Sequence, residues 1–186
     1  LRFCGISYSF SASQLTQQTK VHDQPWALNV LAIGEAINDL PQLKGTAAEL
    51  SNVKKQAHKA TIFSGIEAKK QKILSTKSKD NTILHLALHA KSDSLNPLYS
   101  TIYFTATERE KGELKLFELY ELELNKQLVV LSGCETGKGI WQKGEGILSL
   151  SKGFAHAGNP NLVMSLWRIP DQSTPKIVKA FYNYLS

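Results

Sequence analysis

Cysteine is scarce in this sequence. The 186 residues include only Cys4 and Cys134, which lie far apart, and neither has a second cysteine or a histidine at the spacing of a zinc site. The sequence therefore indicates neither a disulfide framework nor a structural zinc site. Such sparing use of cysteine is typical of a reducing, cytoplasmic compartment.

Long apolar runs are also absent. The longest stretches, such as TILHLAL, are too short to cross a bilayer, and the first residues lack the sections of a signal peptide. We therefore expect no membrane partner. The chain opens abruptly in a strand-like pattern at Leu1, so we expect it to be a fragment of a larger protein.

Acidic residues are nearly missing between Lys54 and Lys79, where eight lysines accompany Glu67 as the only acid. The excess of basic over acidic residues, which gives the chain its net charge of +6, is concentrated in this segment. Phe63 is its only aromatic residue, whereas proteins that bind single-stranded nucleic acids combine basic grooves with several stacking aromatics. We interpret the lysines as a solvated helical face and expect no nucleic-acid partner.

The composition that remains is that of a globular protein. Apolar residues make up 42% of the chain and charged residues 20%, and glycines and prolines are scattered. Because the length suits one domain with a sizeable core, we predict a single domain over residues 1–186.

Apolar segments predict strands at regular intervals. LRFCGISYSF alternates like a strand, while WALNVLAIG, NTILHLALHA and QLVVLSG have the continuous apolar character of strands buried on both faces. ATIFSG, STIYFT and NLVMSLW are shorter candidates, and TEREKGELKL predicts a hairpin that turns at Lys111–Gly112.

Helix signals separate these strands. Ser11 to Lys20 is helix-like, Thr46 with Glu49 and Ser64 with Glu67 have the spacing of capping boxes, and the first of these boxes opens a helix to about Lys59. A further helix from about Glu145 to Ala157 is ended by Gly158 and Pro160, and Pro175 begins the last one. The alternation predicts a three-layer α/β fold with a mostly parallel central sheet.

Cys134 lies in VVLSGCETGKG, where an apolar strand meets a glycine-rich loop. A phosphate-binding P-loop needs four residues between its glycines and Ser or Thr after the lysine; here three residues separate Gly133 from Gly137, and Gly139 follows Lys138. That motif is therefore absent. Cys134 is either a small packed side chain or an exposed nucleophile.

Two histidines in HLALHA bear on this choice. His89 ends the apolar run, so it shares the carboxyl edge of a parallel sheet with Cys134, where a histidine can stabilise a thiolate. His85 lies four positions earlier inside the run, and we interpret it as a hydrogen-bonded core residue. From spacing alone a dyad and a coincidence remain equal alternatives.

The order of motifs resembles the CHAT domain, a caspase- and separase-like peptidase family often attached to TPR repeats. HLALHA and the segment from LKLFELYELELNKQLVVLSGCETGKG to KAFYNYL carry the resemblance, and YSFSASQL, LPQLKGTAAEL and FSGIEA precede them in the family's order. The resemblance implies a caspase-like fold, which we expect to be incomplete at both ends, with any TPR repeats outside this chain.

The resemblance also implies a His89 and Cys134 dyad, with an oxyanion hole formed by the backbone N–H groups of Ala90 and Cys134. The family usually has glycine after the histidine and more often alanine than glycine before the cysteine. If the hole requires positive φ at residue 90, Ala90 is strained there. The implied activity is that of a cysteine endopeptidase that cleaves a protein or peptide substrate and uses no cofactor and no metal.

Two alternatives to this activity stay open. One is an interaction module of the same fold with weak or lost catalysis, and the other is a thiol hydrolase or acyltransferase that uses the same dyad. For a peptidase, Ser132, Glu145 and Asp171 are the candidate substrate-binding residues. A carboxylate from Asp171 or Glu145 favours a basic residue before the scissile bond, whereas Arg168 favours acidic substrates.

Overall fold

The computed structural model describes residues 28–74, 82–93, 95–108, 110–132, 146–165, 169–170 and 172–185. In chain order its elements are β1 (Asn29–Ala36), α1 (Thr46–Gln56), β2 (Lys59–Gly65), α2 (Gln71–Leu74), β3 (Ile83–Ala87), β4 (Ala90–Lys91), a 3₁₀ turn (Pro97–Tyr99), β5 (Thr101–Tyr103), β6 (Glu113–Lys115), α3 (Leu116–Leu119), β7 (Leu128–Leu131), α4 (Gly146–His156), β8 (Leu162–Met164) and α5 (Thr174–Leu185). The strand predicted over residues 1–10 and the helix predicted over residues 11–20 lie outside the described residues.

Five strands form a parallel central sheet in the order β2-β1-β3-β7-β8. All residues of β3 and β7 are buried, as their continuous apolar sequences predict. The two strands are direct neighbours, and their last paired residues are Leu86 and Leu131. The prediction of a three-layer α/β fold with a mostly parallel sheet is confirmed.

Helices cover both faces of the sheet, because alternate residues of each buried strand point to opposite sides. On one face α1 and α5 pack against residues such as Val30, Ile83 and Val130. On the other face Leu84, Leu86 and Val129 share a cluster with Leu150 and Phe154 of α4 and with α3. Each face is thus closed by a separate apolar cluster.

A small antiparallel sheet, in the order β4-β5-β6, continues from the end of β3. Its hairpin turns between Thr107 and Glu110, which are paired, and not at Lys111–Gly112 as predicted. Gly112 has a different function: a Cβ there would overlap the Phe104 carbonyl oxygen, so only glycine allows the two backbones to lie so close.

Neither predicted capping box forms. The N-cap of α1 is Gly45, without a side-chain cap, and Glu49 turns into the core, where it is 3% exposed. The second box fails because α2 begins only at Gln71, while Glu67 binds Lys72 at the surface with an N···O distance of 2.8 Å. Glu49 therefore bonds to His85, which is distant in sequence, and Glu67 forms a surface ion pair, so neither caps a helix.

The expectation that the lysines form one solvated helical face is wrong for the described residues, because Lys59 lies in β2 and Lys69 precedes α2. Lys70, which also precedes α2, is not even solvated. Its Nζ lies 2.8 Å from Glu118 and 3.5 Å from Glu110, and its side chain is only 15% exposed. Burial opposes the charged form, but the hydrogen bond and charge of Glu118, with the charge of Glu110, outweigh it and raise the pKa of Lys70. This lysine joins the segment before α2 to the hairpin and to α3.

The end of α4 agrees with its sequence signals. Gly158 has φ of 83°, its N–H donates to Ala155 O, and the Asn159 N–H donates to Phe154 O, which together form a Schellman motif. Pro175 lies in the first turn of α5, as predicted. None of the described helices is both long and apolar enough to cross a membrane.

Candidate active site

The candidate site lies at the carboxyl edge of β3 and β7. Leu86 and Leu131 are paired in register, and His89 and Cys134 each come three residues after that pair in the sequence. Cys134, Glu145, Arg168 and Asp171 lie outside the described residues. His89, Ala90 and Ser132 are described, and they occupy this edge.

The His89 imidazole is held in one orientation by the main chain. Its side chain is buried, and Nε2 lies 2.6 Å from the carbonyl oxygen of Pro41, in the loop between β1 and α1. Because a carbonyl only accepts, Nε2 carries the proton of this hydrogen bond. Nδ1 is left as the nitrogen that can take a proton from a thiol or return it.

The backbone around His89 is also anchored. The His89 carbonyl accepts a hydrogen bond from the Tyr103 N–H at 2.9 Å, at the junction between the central sheet and the small sheet. Leu88 before it and Ala90 after it are almost completely buried. The histidine thus belongs to a rigid part of the fold, as a positioned acid–base group requires.

Ala90 is extended and not strained. Among described residues other than glycine, positive φ occurs at Glu35 and Asn125, so the idea that Ala90 is forced into positive φ is wrong. Ala90 pairs with Ile102 while Tyr103 bonds to His89, which makes Ala90 and Ile102 a non-hydrogen-bonded pair. The Ala90 N–H consequently points away from β5, towards the outer edge of β4.

Ser132 extends the contact between β7 and β3 by one residue. Its N–H donates to Leu86 O at 3.0 Å, and its hydroxyl lies 3.5 Å from the same oxygen. Ser132 is thus held against the end of β3, two residues before Cys134 in the sequence. The candidate role of Ser132 in substrate binding remains a prediction.

His85 is separate from this site. It is completely buried, with Nε2 2.9 Å from Glu49 Oε1 and Nδ1 3.1 Å from the Tyr182 hydroxyl. Its interpretation as a hydrogen-bonded core residue is confirmed. Burial and the charge of Glu49 raise the pKa of Tyr182, which therefore stays protonated.

Two features of the site were missed in the sequence. One is the main-chain carbonyl of Pro41. Every residue has such a carbonyl, so no pattern of side chains reveals its role. The other is Glu35, which lines a small cavity together with His89. The cavity's lining residues are Glu35, Ala36, Pro41, Gln42, Leu43, Ala87, Leu88 and His89.

The described residues contain no group of three or more His, Cys, Asp or Glu side chains arranged to hold a metal ion. The groups described at this edge are an oriented imidazole and nearby main-chain N–H groups. Such groups exchange protons and stabilise oxyanions.

The family model of the CHAT domain matches residues 1–186. The chain belongs to the CHAT domain family. This family is related to caspase-like peptidases, and the five-stranded parallel sheet between helices agrees with a caspase-like three-layer fold. No curated protein matches the chain significantly.

Proposed function

We propose that this CHAT domain is a cysteine endopeptidase in which His89 and Cys134 form the catalytic dyad. The observation that carries the proposal is the hydrogen bond from His89 Nε2 to Pro41 O at the edge where β7 leads into the segment with Cys134. It leaves Nδ1 for proton exchange. Family membership supports the same chemistry.

In the proposed reaction, Nδ1 of His89 takes the proton of the Cys134 thiol, and the thiolate attacks the peptide carbonyl carbon. The backbone N–H groups of Ala90 and Cys134 stabilise the oxyanion. When the intermediate collapses, the C–N bond breaks and His89 gives its proton to the leaving amine. Water then hydrolyses the thioester, so no metal or organic cofactor takes part.

The proposal includes the partners and the location of the protein. The substrate is a protein or peptide, recruited by TPR or other repeats in a larger chain, and Ser132, Glu145 and Asp171 remain candidates for contacting it. A thiol nucleophile must stay reduced, so the cytoplasm is the proposed compartment.

A scaffold without catalysis is the second candidate, favoured by exposed aromatic side chains. Tyr99 and Phe117 pack edge to face with ring centroids 6.0 Å apart, and Tyr120 contacts His156 in the same way at 5.2 Å. Exposed aromatics are typical of interaction surfaces. Strain at Ala90 would weaken catalysis and so favour this alternative, but the Ala90 backbone is unstrained.

Covalent labelling separates these two functions. A peptidyl acyloxymethyl ketone should label wild-type protein, and Cys134→Ala and His89→Ala should each abolish labelling, while Cys4→Ala should not. Iodoacetamide pulses with peptide mapping should likewise modify Cys134 before Cys4. If the ketone does not label the folded wild type, the scaffold function is supported. If the ketone labels Cys134 but no peptide is cleaved, the result supports a thiol hydrolase or acyltransferase.

A further inference from the structure

Glu35 has an unusual backbone for its residue type. It is one of two described non-glycine residues with positive φ, at 52°. It is also the extra residue of a bulge, because Gly34 pairs with Ser64 and Ala36 with Gly65, leaving Glu35 between them. Bulges redirect side chains near active sites, and left-handed non-glycine residues persist only where the surrounding structure imposes them.

The neighbouring residues impose this conformation. The Thr105 hydroxyl accepts from the Ile37 N–H at 2.9 Å and donates to Gly65 O at 2.7 Å, which clamps both sides of the bulge. Before it, a Cβ at Gly34 would lie only 2.7 Å from the Thr46 methyl carbon, so β1 is packed tightly at that point. Glu35 is therefore held in a preset position.

That position is beside the candidate catalytic histidine. Glu35 lines the same cavity as His89 and Pro41, whose carbonyl bonds to His89. Glu35 itself is half-buried. Within the described part of the chain it forms no ion pair, whereas the carboxylates of Glu67 and Glu118 each bind a lysine. Among the described residues, Glu35 thus lines this cavity without a salt-bridge partner, in a protein whose net charge is +6.

We propose that Glu35 is a specificity-determining residue that binds the cationic side chain of a substrate lysine or arginine beside the scissile bond. This inference rests on the proposed peptidase function. A partly buried carboxylate attracts a guanidinium or ammonium group through charge-assisted hydrogen bonds. Its fixed backbone reduces the entropy lost when the substrate binds.

Binding to full-length Cys134→Ala protein tests the site without requiring catalysis. The probes are N-acetylated peptide amides that carry arginine or its neutral isostere citrulline at successive positions. At one position arginine should bind about tenfold more tightly than citrulline, as the typical strength of a charge-assisted hydrogen bond implies. Glu35→Gln should remove that difference, and the matched surface variant Glu67→Gln should keep it.

Glu35→Gly provides a second variant in case Glu35→Gln folds poorly. It removes the carboxylate and relieves the positive φ, so the melting temperature should rise while the arginine preference disappears. The inference is overturned if the arginine preference survives both substitutions, or if the Cys134→Ala protein shows none. If wild type cleaves peptides regardless of their charge, the proposed role of Glu35 is wrong but the peptidase function stands. If the arginine preference depends on Glu35 but no peptide is cleaved, the peptidase function is wrong but the binding role of Glu35 stands.

Discussion

His85 and His89 lie four positions apart, yet their surroundings give them different roles. His85 is enclosed between Glu49 and Tyr182 in the core, whereas His89 bonds to a main-chain carbonyl at the sheet edge. Removing His85 leaves the buried Glu49 without its partner, whereas removing His89 leaves unpaired only the carbonyl of Pro41, an exposed residue that water can reach. Substitutions at these two histidines should therefore affect different properties.

His85→Ala should lower the free energy of unfolding by about 3 kcal/mol, because it leaves the Glu49 carboxylate buried without its partner. His89→Ala should lower stability less than His85→Ala does and reduce peptide turnover by about 10²–10⁴-fold. Denaturant unfolding and single-substrate kinetics on both variants measure the two effects. The opposite pattern would show that the catalytic histidine was misassigned.

Tyr182 should make folding stability depend on alkaline pH. Its pKa in the folded state is raised above the ordinary 10.0, so above pH 10 the unfolded chain loses a proton that the folded chain keeps. The contribution is present below pH 10 and declines as pH rises, by at most about 1.4 kcal/mol per pH unit. Tyr182→Phe should lessen this decline.

The matched control for that experiment is Tyr184→Phe, since Tyr184 lies on the same helix and is 93% exposed. At neutral pH Tyr182→Phe should also cost about 1 kcal/mol through the lost hydrogen bond to His85. Unfolding measured at pH 7, 10 and 11 compares the three proteins. Equal alkaline slopes in all three would contradict the linkage.

Ala90→Gly should not increase turnover, because Ala90 is already extended and its N–H already points out of β4. Glycine in a strand should instead lower stability by about 0.5–1 kcal/mol. Turnover per titrated active site and thermal unfolding test both statements. A clear rise in turnover would mean that the active backbone differs from the described one.

The strands were easier to predict from sequence than the helix starts. Apart from His85, β3 and β7 consist of apolar residues, and burial on both faces follows from that pattern. The local capping pattern of Glu49 failed because a contact with His85, distant in sequence, is made instead. The hairpin turn was predicted at the wrong place because glycine at position 112 allows a close approach to the Phe104 backbone and does not form a turn.

Gly158 illustrates an element boundary that the sequence predicts well. Its φ of 83° ends α4, and a Cβ there would also overlap the Asn125 side chain. Gly158→Ala should therefore cost about 1–2 kcal/mol. Chemical unfolding measures this cost, with the exposed α4 variant Lys152→Ala as the control; equal stability of the two variants would contradict it.

For the molecule as a whole, the parallel sheet determines which distant residues share the active edge. The order β2-β1-β3-β7-β8 places β3 between β1 and β7, so the loop with Pro41, the histidine and Ser132 converge at that edge. The position of His89 at this edge was predictable because the residue follows an apolar strand. The Pro41 carbonyl and the bulged Glu35 were not, because both depend on backbone geometry.

The central claim is that His89 and Cys134 cleave peptide bonds. The most direct test compares new protein N-termini in cells that express full-length wild type, Cys134→Ala or His89→Ala at equal levels. The account predicts a set of new N-termini with wild type that is absent with both variants. The account would be contradicted if the same N-termini appeared in all three samples. It would also be contradicted if wild type that reacts with the peptidyl ketone produced no new N-termini above background.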